Sequence, residues 1–226
     1  MIPHAAGARG PSSAIPPEDW LPVQEGLLRG LNHALSNRLA SVSALAMLVE
    51  GSDRLPSGMQ DVLSDDVQRL GDLLTLYRAL PAGVESRREP VRSGDAIARA
   101  RALIEHHPEC RDLTMGPIVE PEDAEPMWLM GRDAERASVL LLLSVARGAP
   151  SAPELDVTIR GEGGWLHLTA QCAGAEVDKV RATPEYAALG RFANVEGGRA
   201  DCAALPRGDA QVTLTLPGLS RARAKG

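Results

Sequence analysis

Aromatic residues and paired cysteines are scarce in this chain. Phe, Trp and Tyr together make up 3% of its 226 residues, which argues against aromatic platforms for single-stranded nucleic acid. The three cysteines, Cys110, Cys172 and Cys202, form no CxxC pair. Neither a zinc site nor a disulfide framework is therefore indicated, and we expect a protein of the reducing cytoplasm.

Long apolar runs and an excess of positive charge are also missing. The longest largely apolar run, Val139 to Ala146, falls far short of the roughly 20 residues that span a bilayer. The first residues lack the apolar segment of a signal peptide. The formal net charge of −6 argues mildly against phosphate-backbone contacts. We therefore expect neither a membrane nor a nucleic-acid partner.

A helical period dominates the first third of the chain. Apolar residues recur at spacings of three and four, the period of an amphipathic helix, and they are Leu28, Leu31, Leu35, Leu39, Val42 and Leu45. A helix start is predicted near Pro17, with acidic residues in its first turn. After a turn at residues 51–58, a second apolar pattern runs from Met59 to Leu80. Residues 18–82 are thus predicted to form a helical hairpin.

One hairpin leaves its apolar faces incompletely covered. Two hairpins that pack together as a four-helix bundle would bury these faces. We therefore expect a homodimer formed through the hairpin.

The second half of the chain has a mixed pattern. Residues 1–17 are interpreted as a flexible leader and 83–92 as a charged linker. Residues 93–218 contain helical segments and strands that alternate apolar with polar residues, which predicts an α+β sandwich with helices on one face of a mixed sheet. Residues 219–226 are interpreted as a basic, frayed tail.

His33 and Asn37 are the candidate functional pair. A residue four positions later lies one turn along the same helix face, so the Asn37 amide is expected to orient the imidazole or a catalytic water. An ordinary exposed role is the alternative for both residues. Arg29 and Arg38 flank His33; each fits either a phosphoryl contact or an ordinary surface position.

The remaining histidines and the acidic residues have simpler interpretations. His106 and His107 are interpreted as the end of a helix, because adjacent side chains point apart. His167 is expected on the solvent face of a strand. An acidic stripe on the second helix is favoured as a solvated face, with a docking contact as the alternative; its members are Asp61, Asp65, Asp66 and Asp72.

A hairpin that carries His-x-x-x-Asn-x-Leu, followed by a charged linker and an α+β domain, resembles the two-component sensor histidine kinases. The resemblance covers about residues 20–217. It implies a dimerisation and histidine phosphotransfer domain followed by an ATP-binding domain of the Bergerat type. His33 then corresponds to the phosphoacceptor, and the segment from Gly198 to Pro217 is similar to the family's closing segment.

The sequence departs from this family where nucleotide is held. The helix predicted from Asp133 to Arg147 contains no asparagine for magnesium and phosphates. The loop at 170–176 has no aspartate at the required place and only one glycine. The acidic residue that commonly follows the phosphoacceptor is replaced by Ala34. These departures imply a degenerate ATP-binding domain that binds no nucleotide.

The resemblance therefore implies a histidine phosphotransferase of a phosphorelay. His33 would exchange a phosphoryl group with the aspartate of a response-regulator receiver, which supplies the magnesium; the chain itself would need no cofactor. A non-catalytic dimeric module that binds a kinase or a response regulator is the alternative. A divergent ATP-dependent histidine kinase is a third hypothesis.

Overall fold

Two long helices form the N-terminal hairpin. The computed structural model describes residues 13–50, 58–80, 88–122, 124–149 and 154–224. Helix α1 spans Pro17–Glu50 and helix α2 spans Met59–Ala79, so the predicted hairpin is confirmed, although its connection lies outside the described residues. Pro17 suits the first position of α1 because a backbone N–H at that position would have no acceptor within the helix. None of the described helices is long and apolar enough to cross a membrane.

An α+β unit follows the hairpin. Its helices are α3 (Ser93–Ile104), a 3₁₀ turn (Pro108–Cys110), α4 (Gly131–Gly148), α5 (Val177–Arg181), α6 (Pro184–Val195) and α7 (Leu219–Arg223). Its strands are β1 (Arg88–Val91), β2 (Thr114–Val119), β3 (Met127–Met130), β4 (Glu154–Glu162), β5 (Trp165–Cys172), β6 (Arg199–Ala204) and β7 (Ala210–Pro217). The sequence pattern does not predict the 3₁₀ turn, α5, β1 or α7, because such short elements carry too little periodicity.

The main sheet has five strands in the order β2-β4-β5-β7-β6. Among the described strands only the β2–β4 pair is parallel, and β1 pairs with β3 in a separate two-stranded sheet. Buried and half-buried residues alternate along β5, as expected for a sheet with one covered face. The predicted fold class, a helical hairpin followed by an α+β sandwich with helices on one sheet face, is confirmed.

Helix α4 forms the centre of the core. Its residues 139–143 are all fully buried, because α3 packs on one side of it and α6 on another. The covered sheet face contributes Val157, Leu168 and Leu214. With so few aromatic residues, Leu, Val and Ala supply most of the buried apolar surface.

The start of the chain is held in place from residue 13 onward, although residues 1–17 were interpreted as a flexible leader. The backbone N–H of Ala14 donates to Oδ2 of Asp133 at 2.8 Å. The side chain of Ile15 is buried. Buried apolar surface and a hydrogen bond to a carboxylate offset the entropy cost of ordering this segment.

The expected linker and the expected tail are also partly ordered. Residues 88–91 of the linker form β1, which pairs with β3. In the tail, Leu219 donates its N–H to the carbonyl of Pro126 at 3.0 Å, and the Arg221 guanidinium lies 4.2 Å from the centroid of the Trp165 ring. Both differences arise from long-range pairing that local composition does not reveal.

Two glycines let α1 directly contact the α+β unit that follows the hairpin (the C-terminal unit). Gly26 and Gly30 lie one helical turn apart. A Cβ at Gly30 would overlap the backbone carbonyl of His106, and a Cβ at Gly26 would overlap the imidazole of His107. Glycine in a helix interior lowers helix stability relative to alanine, and here the close backbone approach explains its presence.

Replacement of Gly30 by alanine should weaken this contact. Because the obstacle is backbone rather than a flexible side chain, we expect Gly30→Ala to lower the free energy of unfolding by about 1–3 kcal/mol. Gly71→Ala is the matched control, since a Cβ at Gly71 in α2 meets nothing within 4 Å. That control should gain about 0.5–1 kcal/mol of helix stability. Urea unfolding at one fixed protein concentration measures both; equal or greater stability of Gly30→Ala would contradict the contact.

Candidate functional site

A cavity of about 390 Å³ lies between the hairpin and the C-terminal unit. Helix α1 lines it with His33 and Asn37, and α2 lines it with Asp72. Its third wall comes from the segment after α3, through His106 and Arg111. The cavity therefore brings the predicted histidine together with residues that are distant in sequence.

The imidazole of His33 is exposed and contacts Asn37. The side-chain nitrogen of Asn37 lies 3.2 Å from Nε2 of His33, as the spacing of four residues predicted. The amide NH₂ group can donate to Nε2 in the tautomer that carries the ring proton on Nδ1. In this tautomer Nε2 carries the lone pair that a nucleophile needs.

Arg38 is engaged inside the hairpin. Its Nη1 lies 2.7 Å from Oδ1 of Asp66, and the Ser41 hydroxyl donates to Oδ2 of the same carboxylate at 2.5 Å. Asp66 is only 4% exposed. The predicted phosphoryl contact of Arg38 stays a prediction, but the structure shows that this guanidinium, which also lines the cavity, is bound to a buried carboxylate.

Asp66 does not belong to a solvated acidic face. Its neighbours Asp61, Asp65 and Asp72 are exposed, so the interpretation of the stripe was wrong at this one position. The hydrogen bond from Ser41 holds the pKa of Asp66 below its ordinary value, and Arg38 acts in the same direction. Both interactions favour the charged form, against the opposing effect of burial.

His106 and His107 are part of the junction rather than mere helix ends. His107 is 3% exposed, and its Nδ1 accepts the N–H of Glu109 at 3.3 Å. Burial lowers the pKa of both histidines below their ordinary value, and the nearby Arg147 lowers that of His107 further. Sequence reasoning missed this role, although the glycine pair four residues apart in α1 was a signal for close packing.

Helix α4 and the loop after β5, where the sequence departs from the family's nucleotide-binding pattern, have side chains and backbone groups engaged within the chain. In α4 the side chains of Leu142 and Val145 are fully buried, and the Ser144 hydroxyl donates to the carbonyl of Leu141 at 2.8 Å. In the loop after β5, the N–H of Gly174 donates to Oδ1 of Asp209 at 2.8 Å. These groups are already bonded or packed within the chain.

Ion pairs also connect the elements of this region. Nη1 of Arg147, near the end of α4, donates to Glu185 of α6 at 2.5 Å, and its Nε donates to Glu109 at 2.6 Å. Glu185 is 2% exposed. A Cβ at Gly148 would overlap the side chain of Val180, so α5 also packs closely on α4.

The open face of the sheet has a second, smaller cavity of about 320 Å³. His167 lies there, and its Nδ1 is 3.1 Å from the hydroxyl of Thr215. The predicted placement on the outer face is confirmed, although the ring is only partly exposed. Within the described residues, no cluster of three His, Cys, Asp or Glu residues is arranged to hold a metal ion.

The three cysteines are free and buried. Burial raises the pKa of Cys110 and of Cys172 to about 12. Both groups are therefore thiols at neutral pH and not nucleophiles.

Comparison with known proteins gives matches at the level of structure alone. No family model and no curated protein matches the chain. The histidine kinase AdeS of Acinetobacter baumannii is similar over 85% of this chain and 97% of its own, at 14% identity and a TM-score of 0.48. The ATP-binding domain of PrrB from Mycobacterium tuberculosis is similar over 58% of this chain and 97% of its own, at 19% identity and a TM-score of 0.45. The mycobacterial sensor histidine kinase MprB is similar over 58% of this chain and 98% of its own, at 17% identity and a TM-score of 0.45.

These structures are histidine kinases, the class of protein that the sequence resembles. With TM-scores below 0.5, these similarities support no conclusion about what this chain does.

The ion pair of Asp66 should make hairpin stability depend on pH. Because the pKa of Asp66 is lowered on folding, its contribution is present above the ordinary value of 3.8 and is lost as the pH falls through the folded value. Asp66→Asn should therefore lower the melting temperature at neutral pH, and the difference from wild type should shrink in acid. Asp65→Asn, an exposed neighbour, is the control and should have little effect at any pH. A difference for Asp66→Asn that is independent of pH would contradict this assignment.

Proposed function

We propose that this protein is a histidine-containing phosphotransfer protein of a two-component phosphorelay. In this proposal His33 exchanges a phosphoryl group with the aspartate of a response-regulator receiver. The observation that carries the proposal is the exposed His33, whose Nε2 lies 3.2 Å from the side-chain nitrogen of Asn37 and which lines a cavity that arginines also line.

The transfer step uses the lone pair of Nε2. This nitrogen forms a bond to phosphorus while the bond from phosphorus to the receiver carboxylate oxygen breaks, and the electron pair stays on the aspartate. The imidazolium that results releases its Nδ1 proton to solvent. Asn37 keeps the ring in the reactive tautomer before attack and must release Nε2 as the new bond forms. Magnesium would be supplied by the receiver.

The charges around the cavity suit a phosphoryl group. Arg38, Arg69 and Arg111 line the cavity together with the acidic residues Asp72 and Glu105. Guanidinium groups bind phosphoryl oxygens through paired N–H donors. An acyl phosphate is already activated, so Ala34 in place of an acidic neighbour is compatible with transfer.

In this proposal the protein neither binds nor uses ATP. The closed packing of α5 and α6 on α4 supports this, as do the ion pairs of Arg147 and the engaged N–H of Gly174. Helix α4 also has no asparagine to hold magnesium.

A second copy of the chain is the proposed partner of the hairpin. Large apolar side chains are exposed along both helices, and they include Leu39, Met47, Leu48, Val62, Val67, Leu74 and Tyr77. Pairing of two hairpins into a four-helix bundle would bury them. The receiver partner and the three free cysteines fit a cytoplasmic location.

A non-catalytic interaction module is the second candidate. The same exposed apolar side chains would then bind a kinase or a response regulator without chemistry at His33. A divergent ATP-dependent kinase is the third, and the packed surface of α4 makes it the least favoured.

Transfer of labelled phosphate from a phosphorylated receiver tests the proposal. Wild type should acquire an acid-labile phosphoryl group, His33→Ala should acquire none, and His167→Ala should behave as wild type. Asn37→Ala should slow transfer by about three- to tenfold, since one hydrogen bond that positions the ring is lost. Labelling of His33→Ala would overturn the assignment. If wild type takes no label and His33→Ala binds its partner unchanged, the interaction module is the better description.

Calorimetric titration tests the exclusion of ATP. Because the groups that would contact the nucleotide are engaged within the chain, we expect magnesium-ATP at millimolar concentration to give no binding heat. A saturable heat with unit stoichiometry would contradict this expectation and favour the divergent kinase. The same titration of a functional histidine kinase is the positive control.

A further inference from the structure

We infer that Arg111 binds the phosphoryl group carried by His33, so that the C-terminal unit completes the phosphotransfer site. The inference rests on the proposed function and assigns a task to the unit that resembles an ATP-binding domain. It depends on three observations: a fixed backbone at Arg111, the contact of this segment with α1, and a guanidinium without a partner in the described part of the chain.

The backbone at Arg111 is fixed by a compact turn. The N–H of Cys110 donates to the carbonyl of His107 at 2.9 Å, and the N–H of Leu113 donates to the carbonyl of Cys110 at 3.1 Å. The side chain of Cys110 is buried. Arg111 therefore starts from an ordered position, which reduces the entropy cost of aiming its guanidinium.

The same segment is held against α1 beside His33. The backbone of His106 occupies the space that a side chain at Gly30 would fill, and Gly30 lies one turn before His33. His33 and Arg111 consequently line one cavity, although 78 positions separate them in the numbering of the chain. A rearrangement that moved Arg111 away would have to break this close contact.

Arg111 differs from the other two arginines of the cavity. Arg38 is bound to Asp66 at 2.7 Å, and Arg69 lies 3.7 Å from Asp65. Arg111 is exposed and forms no hydrogen bond or ion pair within the described residues. Its planar guanidinium is thus available for two parallel N–H···O bonds to a phosphoryl group.

The acidic residues of the cavity are engaged with other groups. Oδ1 of Asp72 accepts from the Gln68 amide at 3.1 Å. Oε1 of Glu105 lies 3.4 Å from Nε of Arg101. Neither carboxylate forms an ion pair with Arg111, so its guanidinium is available to a phosphoryl group on His33.

Chemical phosphorylation with phosphoramidate tests the inference without a receiver. Nε2 of His33 forms a bond to phosphorus, the P–N bond of phosphoramidate breaks, and ammonia leaves. The full-length protein is used, and the ³¹P signal of phospho-His33 is identified by its absence in His33→Ala. Its pH titration then reports on nearby charge, because a neighbouring cation opposes protonation of the phosphoimidazole.

Arg111→Ala should raise the titration midpoint by about 0.3–0.7, the range expected for an exposed ion pair. Arg111→Lys should stay close to wild type. Arg207→Ala is the control because it removes the same charge. Arg207 is exposed between β6 and β7 and does not line the cavity. Transfer from a phosphorylated receiver should also slow by about three- to tenfold in Arg111→Ala alone.

Equal midpoints for wild type, Arg111→Ala and Arg207→Ala would overturn the inference, as would the failure of any phospho-His33 signal to form. The two proposals fail separately. If a receiver labels His33 but Arg111→Ala leaves the midpoint and the rate unchanged, only the inference falls. If no receiver labels His33 while the midpoint of the phospho-His33 titration depends on Arg111, the proposed phosphorelay function is wrong and the contact of Arg111 with the phosphoryl group is supported.

Discussion

The close approach of α1 to the segment after α3 is the contact on which the candidate site depends. Gly26 and Gly30 have no side chains, so the backbone of His106 and the ring of His107 lie directly against the helix. Van der Waals attraction acts over short distances, and a gap as small as a methyl group would forfeit much of it. Because of this contact, the exposed His33 lies in the α1 wall of a three-sided cavity.

The arginines of the molecule divide into two groups by their partners. Arg38 is bound to a nearly buried aspartate inside the hairpin, and Arg147 joins α4 to Glu109 and Glu185. Asp66 and Glu185 are nearly buried, so removal of the paired arginine would leave a carboxylate in a poorly hydrated place, and these two pairs hold the architecture together. Arg111 forms no such ion pair in the described part of the chain. Its guanidinium is therefore free to bind a phosphoryl group.

The elements that the sequence predicted are those with a strong local period. The two long helices and the alternating strands β4, β5 and β7 show their pattern over 8 to 34 residues, and the pairing of His33 with Asn37 follows from helix geometry alone. Asp66 could not be placed this way. Its neighbours in sequence are exposed, and it is buried only because Arg38 and Ser41 approach from the other helix.

The sequence by itself determined the amphipathic hairpin, the one-sided sheet and the histidine with an amide one turn away, because each is a matter of spacing along a regular backbone. The tertiary structure alone decided which groups surround that histidine. His106 and Arg111 reach the cavity through a glycine contact between segments about 80 residues apart. No local pattern encodes such a meeting, since it depends on how two packed units fit together.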